Sequence, residues 1–146
     1  YIIINSSCKL FLYLKIPVQE RNIMNDNPFK KILIIDDDLT FLKPLCKFLT
    51  LMKYQVNIAE NGLSGLNLHD YIKFDLIITD LKMEGMNGIE LINFLLTRYP
   101  ETKIMVISGH IDLEEFQEIK NNKYVKAIFE KPVDYEQLLK KIKEII

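Results

Sequence analysis

The chain has 146 residues, about half of them hydrophobic, and a formal net charge of −1. This length and composition suit one soluble domain with a real core, and they exclude a disordered or fibrous protein. The near-neutral charge and the lack of dense Lys/Arg runs predict no direct binding to nucleic acid or to anionic membranes.

Residues 1–28 are predicted to form an N-terminal extension outside the fold. Their apolar stretches are shorter than the roughly 18 residues that a membrane-spanning helix needs, and they carry no small-residue cleavage signature. Met24 stands just before a polar turn, so we expect it to be the natural start. The chain has two cysteines, Cys8 and Cys46, which are too few for a disulfide framework and indicate reduced thiols in a cytoplasmic compartment.

From residue 29 onward, five short apolar runs alternate with amphipathic segments. The runs are rich in β-branched residues and predict strands that are buried on both faces of a parallel sheet. They span residues 31–35, 54–58, 75–79, 103–107 and 126–129. Strands that alternate with helices predict a doubly wound α/β domain over residues 29–146, with helices on both faces of the sheet.

The segments between the runs carry the start signals of helices. Three of them open with the spacing of a capping box, at Asn87 with Glu90, Asp112 with Glu115 and Asp134 with Gln137. A first helix is predicted over residues 39–52, with Phe41 and Leu45 facing inward. Because proline is tolerated only near the first turn, Pro44 requires this helix to begin close to Thr40.

Polar side chains follow four of the five predicted strands, at the carboxyl edge of the sheet, where doubly wound folds bind ligands. They are Asp36 and Asp37, then Asp80, then Ser108, and finally Lys131. Three carboxylates in one small volume repel one another, and Mg²⁺ commonly relieves this where a phosphoryl oxygen shares the metal. An Asp oxygen can then attack phosphorus, while Lys131 and Ser108 supply the cation and the hydroxyl that stabilise the developing charge.

Each of these residues also has an ordinary structural explanation. A single Asp after a strand is usually a helix cap, and Asp38 is predicted to be one. A Lys before Pro is usually a solvated loop residue, and a Ser after a strand is usually a turn residue. The functional interpretation therefore depends on the combination, in which each of four strand ends contributes a different required group.

The segments that carry these residues resemble the receiver domains of two-component response regulators, in the chemotaxis-receiver-like superfamily. The matching segments are residues 32–38, 75–83 with 85–88, 104–108 and 130–132. The resemblance covers residues 29–146, and the full set of segments is far more specific than any one of them. It implies a flavodoxin-like strand order, 2-1-3-4-5.

The resemblance also implies site roles and a cofactor, Mg²⁺. Asp80 is the expected phosphoacceptor, Ser108 and Lys131 are expected to contact the transferred group, and the bond to Pro132 is expected to be cis. The expected metal ligands are the side chains of Asp36, Asp37 and Asp80 and the backbone carbonyl of Lys82.

Two further residues are expected to flank the water that hydrolyses the acyl phosphate. Lys82 has only donors, so we expect it to pair with a phosphoryl oxygen, crowd the path of the water and make hydrolysis slow. His110 can orient a water only as neutral imidazole. The alternative for His110 is a side chain that points into solvent.

The partners implied by the resemblance are proteins. The phosphoryl donor is expected to be a phosphohistidine on a sensor kinase or a phosphotransfer protein. A downstream protein target is expected to read the surface formed by the fourth helix, the fifth strand and the fifth helix, and the same surface can form a homodimer. Glu84 stands where the family usually has proline. Ile128 stands where many members carry an aromatic switch residue, and the adjacent Phe129 should point to the other face of the sheet.

Two other functions stay open on the sequence. Asp36-x-Asp38-x-Thr40 looks like the first motif of haloacid-dehalogenase-like phosphatases, with Ser108 and Lys131 as its later motifs, but Asp80 would then have no role. A receiver fold that no longer takes phosphate would be a binding module, and the presence of every expected reactive residue argues against that.

Overall fold

The computed structural model describes residues 29–146. The predictions about residues 1–28, including the start at Met24 and the state of Cys8, lie outside the described residues. Strands and helices alternate along the described chain as β1 Lys31–Ile35, α1 Leu39–Leu51, β2 Gln55–Ala59, α2 Gly62–Tyr71, β3 Leu76–Thr79, α3 Gly88–Arg98, β4 Ile104–Ser108, α4 Leu113–Lys120, β5 Val125–Glu130 and α5 Tyr135–Ile145. Within this part of the chain, no helix combines the length and apolar character that crossing a bilayer requires.

The five strands form one parallel sheet in the order β2-β1-β3-β4-β5, which confirms the expected topology. The inner strands β3 and β4 are buried along their whole length, and β1 is buried after its first residue. The edge strands β2 and β5 are mostly half-buried, so the prediction of burial on both faces is wrong for them. An edge strand has a neighbour on one side only, and the helices cover it incompletely.

Helices on both faces of the sheet produce two separate cores. On one face, α1 and α5 pack against side chains such as Ile34, and this core includes the buried thiol of Cys46. On the other face, α2, α3 and α4 pack against side chains such as Leu33. Neighbouring residues of one strand thus belong to different cores, because successive side chains of a strand point to opposite faces.

The helices begin where the capping signals predicted. Asn87 and Asp112 form complete capping boxes with Glu90 and Glu115, at the starts of α3 and α4. Asp134 caps α5 by accepting from two backbone N–H groups of its first turn. These caps satisfy N–H groups that have no partner inside the helix and so hold each helix at its strand end.

Helix α1 begins where it was predicted to begin. Asp38 caps it and the helix begins at Leu39, so Pro44 lies in the second turn, on the exposed side. Phe41 is partly buried and packs against the core beneath α1 and α5, so its predicted inward direction is confirmed. Its ring centroid lies 4.3 Å from the ammonium of Lys131, at the carboxyl edge of the sheet.

Gly88 allows α3 to approach the end of β3 closely. A Cβ atom at this position would lie 2.2 Å from the carbonyl oxygen of Asp80 and 2.6 Å from the Cα atom of Leu81. The N–H of Gly88 donates to the carbonyl oxygen of Leu81 at 2.9 Å. Only glycine fits so close an approach of two backbones, and the first turn of α3 therefore packs directly against the segment that carries Asp80.

Candidate functional site

The carboxyl ends of four strands bring Asp36, Asp80, Ser108 and Lys131 into one bonded cluster. The hydroxyl of Ser108 donates to Oδ1 of Asp80 at 2.5 Å. The ammonium of Lys131 donates to Oδ2 of Asp80 at 2.9 Å and to Oδ2 of Asp36 at 2.6 Å. Ser108 is the last residue of β4 rather than the residue after it. The convergence expected from the topology is therefore present among these four residues.

The cluster is buried, and its charges are only partly compensated. Asp36, Asp80 and Ser108 are buried, while Lys131 is partly exposed. Burial raises the pKa of Asp36, and the hydrogen bond and charge of Lys131 oppose this without cancelling it. Burial alone would lower the pKa of Lys131, but its bonds to the two carboxylates outweigh that effect and raise the pKa. One cation thus serves two carboxylates, which leaves the site short of positive charge.

Asp37 lies at the rim of the cluster rather than inside it. Its side chain is exposed, and its Oδ2 accepts from the N–H of Glu84 at 3.1 Å. A proline at the position of Glu84 would have no N–H to donate. Within residues 29–146, no three His, Cys, Asp or Glu side chains are placed to hold a metal ion by themselves. Instead, the ammonium of Lys131 bridges Asp36 and Asp80.

Lys82 contacts the cluster through its backbone and α4 through its side chain. Its N–H donates to Oδ1 of Asp80 at 3.0 Å. Its ammonium forms a short ion pair with Glu115 and lies 3.8 Å from a carboxylate oxygen of Asp112. The hydrogen bond to Glu115 raises the pKa of Lys82. The structure thus places this ammonium on the first turn of α4, against a partner that no local pattern in the sequence predicts.

The loop after β4 and the strand β5 contain the remaining predicted residues. The side chain of His110 is exposed, and its backbone carbonyl lies 3.4 Å from the hydroxyl of Ser108. Ile128 packs in the core beneath α2, α3 and α4, whereas Phe129 packs in the core beneath α1 and α5, so they point to opposite faces as predicted. The peptide bond between Lys131 and Pro132 is cis, as expected.

Three contacts around the cluster are not predicted from the sequence. They are Phe41 near Lys131, Glu84 on Asp37 and Glu115 on Lys82. The capping box gave Glu115 a local role, which concealed its second contact. No local signal marks Phe41 or Glu84, because each contact depends on how separate segments pack together.

Comparison with known proteins identifies one family and several relatives of this chain. Residues 32–143 match the family described as the response regulator receiver domain. A response regulator receiver protein of Anaeromyxobacter sp. (strain Fw109-5) is 33% identical over 110 residues, which are 75% of this chain and 46% of that protein. The sporulation initiation phosphotransferase F of Bacillus subtilis is 27% identical over 117 residues, which are 80% of this chain and 94% of that protein.

A solved structure shows the same similarity in three dimensions. The receiver domain protein (CheY-like) from Methanospirillum hungatei JF-1 is 34% identical with a TM-score of 0.76, covering 80% of this chain and 92% of that one. This chain spans less than half the length of several curated relatives that it matches, so those proteins contain further regions that it does not match.

Proposed function

The chain belongs to the response regulator receiver domain family of two-component signal transduction, and from this premise we propose that Asp80 accepts a phosphoryl group. The observation that carries the proposal is the buried carboxylate of Asp80, which accepts hydrogen bonds from both Ser108 and Lys131. The phosphatase alternative loses its support, because Asp38 is the exposed cap of α1, whereas Asp80 lies inside the bonded cluster.

The transfer itself follows from the chemistry of these groups. An oxygen of Asp80 attacks the phosphorus of a phosphohistidine on a sensor kinase or a phosphotransfer protein. The phosphorus–nitrogen bond breaks, and an acyl phosphate forms on Asp80. Lys131 and Ser108 already donate to the carboxylate, and the same two donors stabilise negative charge on the oxygens of the transferred group.

We propose Mg²⁺ as the cofactor, because the donor set suits a hard cation. Asp36 is a buried carboxylate that Lys131 compensates only in part, and Asp37 is an exposed carboxylate beside it. Mg²⁺ is typically held by one or two carboxylates together with waters and phosphoryl oxygens. Asp36 and Asp37 would hold it, with Asp80 and the backbone carbonyl of Lys82 as the other protein ligands. When bound, the ion neutralises charge on the phosphoryl oxygens.

Two further proposals concern the lifetime and the output of the modified form. Lys82 and His110 flank the approach of the hydrolytic water, and Lys82 slows hydrolysis when its ammonium pairs with a phosphoryl oxygen. The output is a protein-contact surface formed by α4, β5 and α5, because Ser108 and Lys131 adjoin it and both gain a new partner. A downstream protein or a second copy of the chain binds this surface in the cytoplasm.

The proposed function is tested with acetyl phosphate and Mg²⁺, followed by intact-mass measurement. The wild type should gain one phosphoryl group, and Asp80→Asn should gain none. Asp38→Asn is the matched control, because it removes one carboxylate beside the site while asparagine caps a helix as well as aspartate. Labelling of Asp80→Asn equal to that of the wild type refutes the assignment. A wild type that takes no label indicates a binding module instead.

A further inference from the structure

We propose that Glu115 on α4 sets the lifetime of the phosphoryl group, by competing with it for the ammonium of Lys82. The inference rests on the proposed phosphorylation of Asp80. It makes Glu115 a positioning residue, because Glu115 acts through Lys82.

Lys82 is fixed at one end and adjustable at the other. Its backbone N–H is bonded to Oδ1 of Asp80, the oxygen that also accepts from Ser108. Its flexible side chain leads away from this point to Glu115 and Asp112, and half of its surface is exposed. The side chain of Lys82 therefore begins beside the phosphoacceptor, and its partly exposed ammonium has room to exchange one anionic partner for another.

Glu115 is the more firmly held member of the pair. Its Oε2 accepts from the N–H of Asp112 at 3.2 Å in the capping box of α4, while its Oε1 accepts from the ammonium of Lys82. Its side chain is 17% exposed, against 50% for Lys82. Both residues line a surface groove of about 580 Å³, which also contains Asp37 and Glu84 from the rim of the site. The pair therefore lies on an open approach to the site.

Phosphorylation changes which anion attracts Lys82 more strongly. A phosphoryl group on Asp80 offers several charged acceptor oxygens to the ammonium of Lys82, whose backbone is bonded to Asp80. During hydrolysis, the oxygen of a water attacks phosphorus and the phosphorus–oxygen bond to Asp80 breaks. The products are inorganic phosphate and the free carboxylate, and the proton of the water passes to phosphate or solvent. Lys82 obstructs this attack when it pairs with the phosphoryl group, and it leaves the path open when Glu115 holds it.

The same competition links Asp80 to the start of α4. When the ammonium of Lys82 moves to the phosphoryl group, Glu115 loses its ion pair with the loop after β3. Glu115 keeps its hydrogen bond to the N–H of Asp112 in the capping box. Helix α4 then stays capped while its contact with that loop is released. Because the coupling is reciprocal, a change that weakens the ion pair must also favour Lys82 on the phosphoryl group.

The lifetime experiment compares Glu115→Gln with Glu114→Gln after removal of the phosphoryl donor. Glutamine at position 115 still suits the capping box, so the variant removes the charge without removing the cap. Glu114 is the adjacent exposed acid on the same turn and is not among the partners of Lys82. We expect Glu115→Gln to lose its label about two- to fivefold more slowly than the wild type, which is the range for a partly exposed ion pair. Glu114→Gln should match the wild type.

Measurements in the Lys82→Asn variant test whether Glu115 acts through Lys82. Lys82→Asn alone should lose its label faster than the wild type, and adding Glu115→Gln to it should change nothing. A Glu115→Gln lifetime equal to that of the wild type, or an effect that persists in Lys82→Asn, overturns the inference while the proposed function stands.

A second measurement does not need phosphorylation. Amide exchange in the first turn of α4 should be faster in unmodified Lys82→Asn and in unmodified Glu115→Gln than in the wild type, because both lack the ion pair. Unchanged amide exchange in both variants would contradict the claim that the ion pair between Lys82 and Glu115 holds the first turn of α4. Failure of the wild type to take any label refutes the proposed function, and that outcome is distinct from an equal lifetime.

Discussion

Within residues 29–146, ionisable side chains are buried at both ends of the strands, which are called here the carboxyl edge and the amino edge of the sheet. The surroundings of these side chains differ between the two edges. At the carboxyl edge, Asp36 and Asp80 share the ammonium of Lys131. At the amino edge, His69 on α2 is buried next to Thr102 and Phe74, which precede β4 and β3. In the first group, the ammonium of Lys131 compensates the buried carboxylates in part, whereas desolvation leaves His69 neutral.

The surroundings of His69 are largely apolar. Its ring stacks with Phe74 at 5.9 Å between centroids and meets the edge of Tyr99 at 4.6 Å. Its Nε2 lies 3.2 Å from the hydroxyl of Thr102, and no described residue bonds to its Nδ1. Burial, helped by the charge of Lys73, lowers the pKa of His69 to about 4. The imidazole is therefore neutral at pH 7 and serves packing.

The contrast shows what burial of a polar group achieves in each place. The carboxyl edge places a cation against two buried carboxyl groups, and the proposed chemistry uses a nucleophile and a cation there. At the amino edge, the imidazole of His69 packs against Tyr99 at the end of α3, while the ion pair of Asp70 with Arg98 joins α2 and α3 at the partly exposed surface. Because burial raises the pKa of Asp36 and lowers that of His69, the two edges should respond to acid in opposite directions. Two predictions test this response, and a third tests a contact within the carboxyl edge.

The largest effect is expected at His69. Its pKa in the folded state, about 4, lies below the ordinary value of 6.5, so the unfolded state binds more protons between these values. Stability is therefore complete above pH 6.5 and falls as the pH drops toward 4, by about 3 kcal/mol. Urea denaturation at pH 7 and pH 4 should show this loss in the wild type and not in His69→Gln. His110→Gln, which removes an exposed imidazole, should behave as the wild type, and identical pH dependence in all three proteins would contradict the prediction.

A smaller effect is expected from Lys131→Met, and its dependence on pH should be opposite to that of His69. Without the shared cation, Asp36 and Asp80 repel each other, and the free energy of unfolding at pH 7 should fall by about 2 kcal/mol, the scale of a hydrogen bond to a charged group. Burial already raises the pKa of Asp36, and losing Lys131 raises it further. Protonation of Asp36 then removes the repulsion, so this variant should recover stability relative to the wild type as the pH falls.

The matched control for that variant is Lys126→Met, which removes an exposed lysine from β5. Urea denaturation from pH 7 to pH 5 compares the two variants with the wild type. A parallel pH dependence of the Lys131 and Lys126 variants would show that Lys131 does not compensate the buried carboxylates.

The smallest effect concerns Phe41. Its ring lies 4.3 Å from the ammonium of Lys131, a distance at which a cation–π contact contributes about 0.5–1 kcal/mol. A double-mutant cycle of Phe41→Leu with Lys131→Met should give a coupling free energy of that size. Phe48→Leu is the control, because its ring packs against Tyr135 at 4.8 Å between centroids. Equal coupling of both phenylalanines to Lys131 would mean that the cycle measures packing alone.

Most of the fold could be predicted because its signals are local. The five strands lie within about one residue of the predicted runs, and the helix caps stand at the predicted residues. The cluster of Asp36, Asp80, Ser108 and Lys131 followed from one rule, that parallel strands bring their carboxyl ends to one edge. The prediction that is wrong, burial of β2 and β5 on both faces, concerns how much of an edge strand the neighbouring helices cover.

By itself, the sequence determined the order of the elements, the caps and the set of reactive groups, because hydrophobic period, capping spacing and strand ends are properties of short segments. Only the tertiary structure decided that Lys82 bonds to Glu115 and that His69 is buried beside Thr102. Each of these pairs is separated by 33 residues along the chain. Such contacts depend on the packing of whole helices against the sheet, and the desolvation that neutralises His69 exists only after that packing is complete.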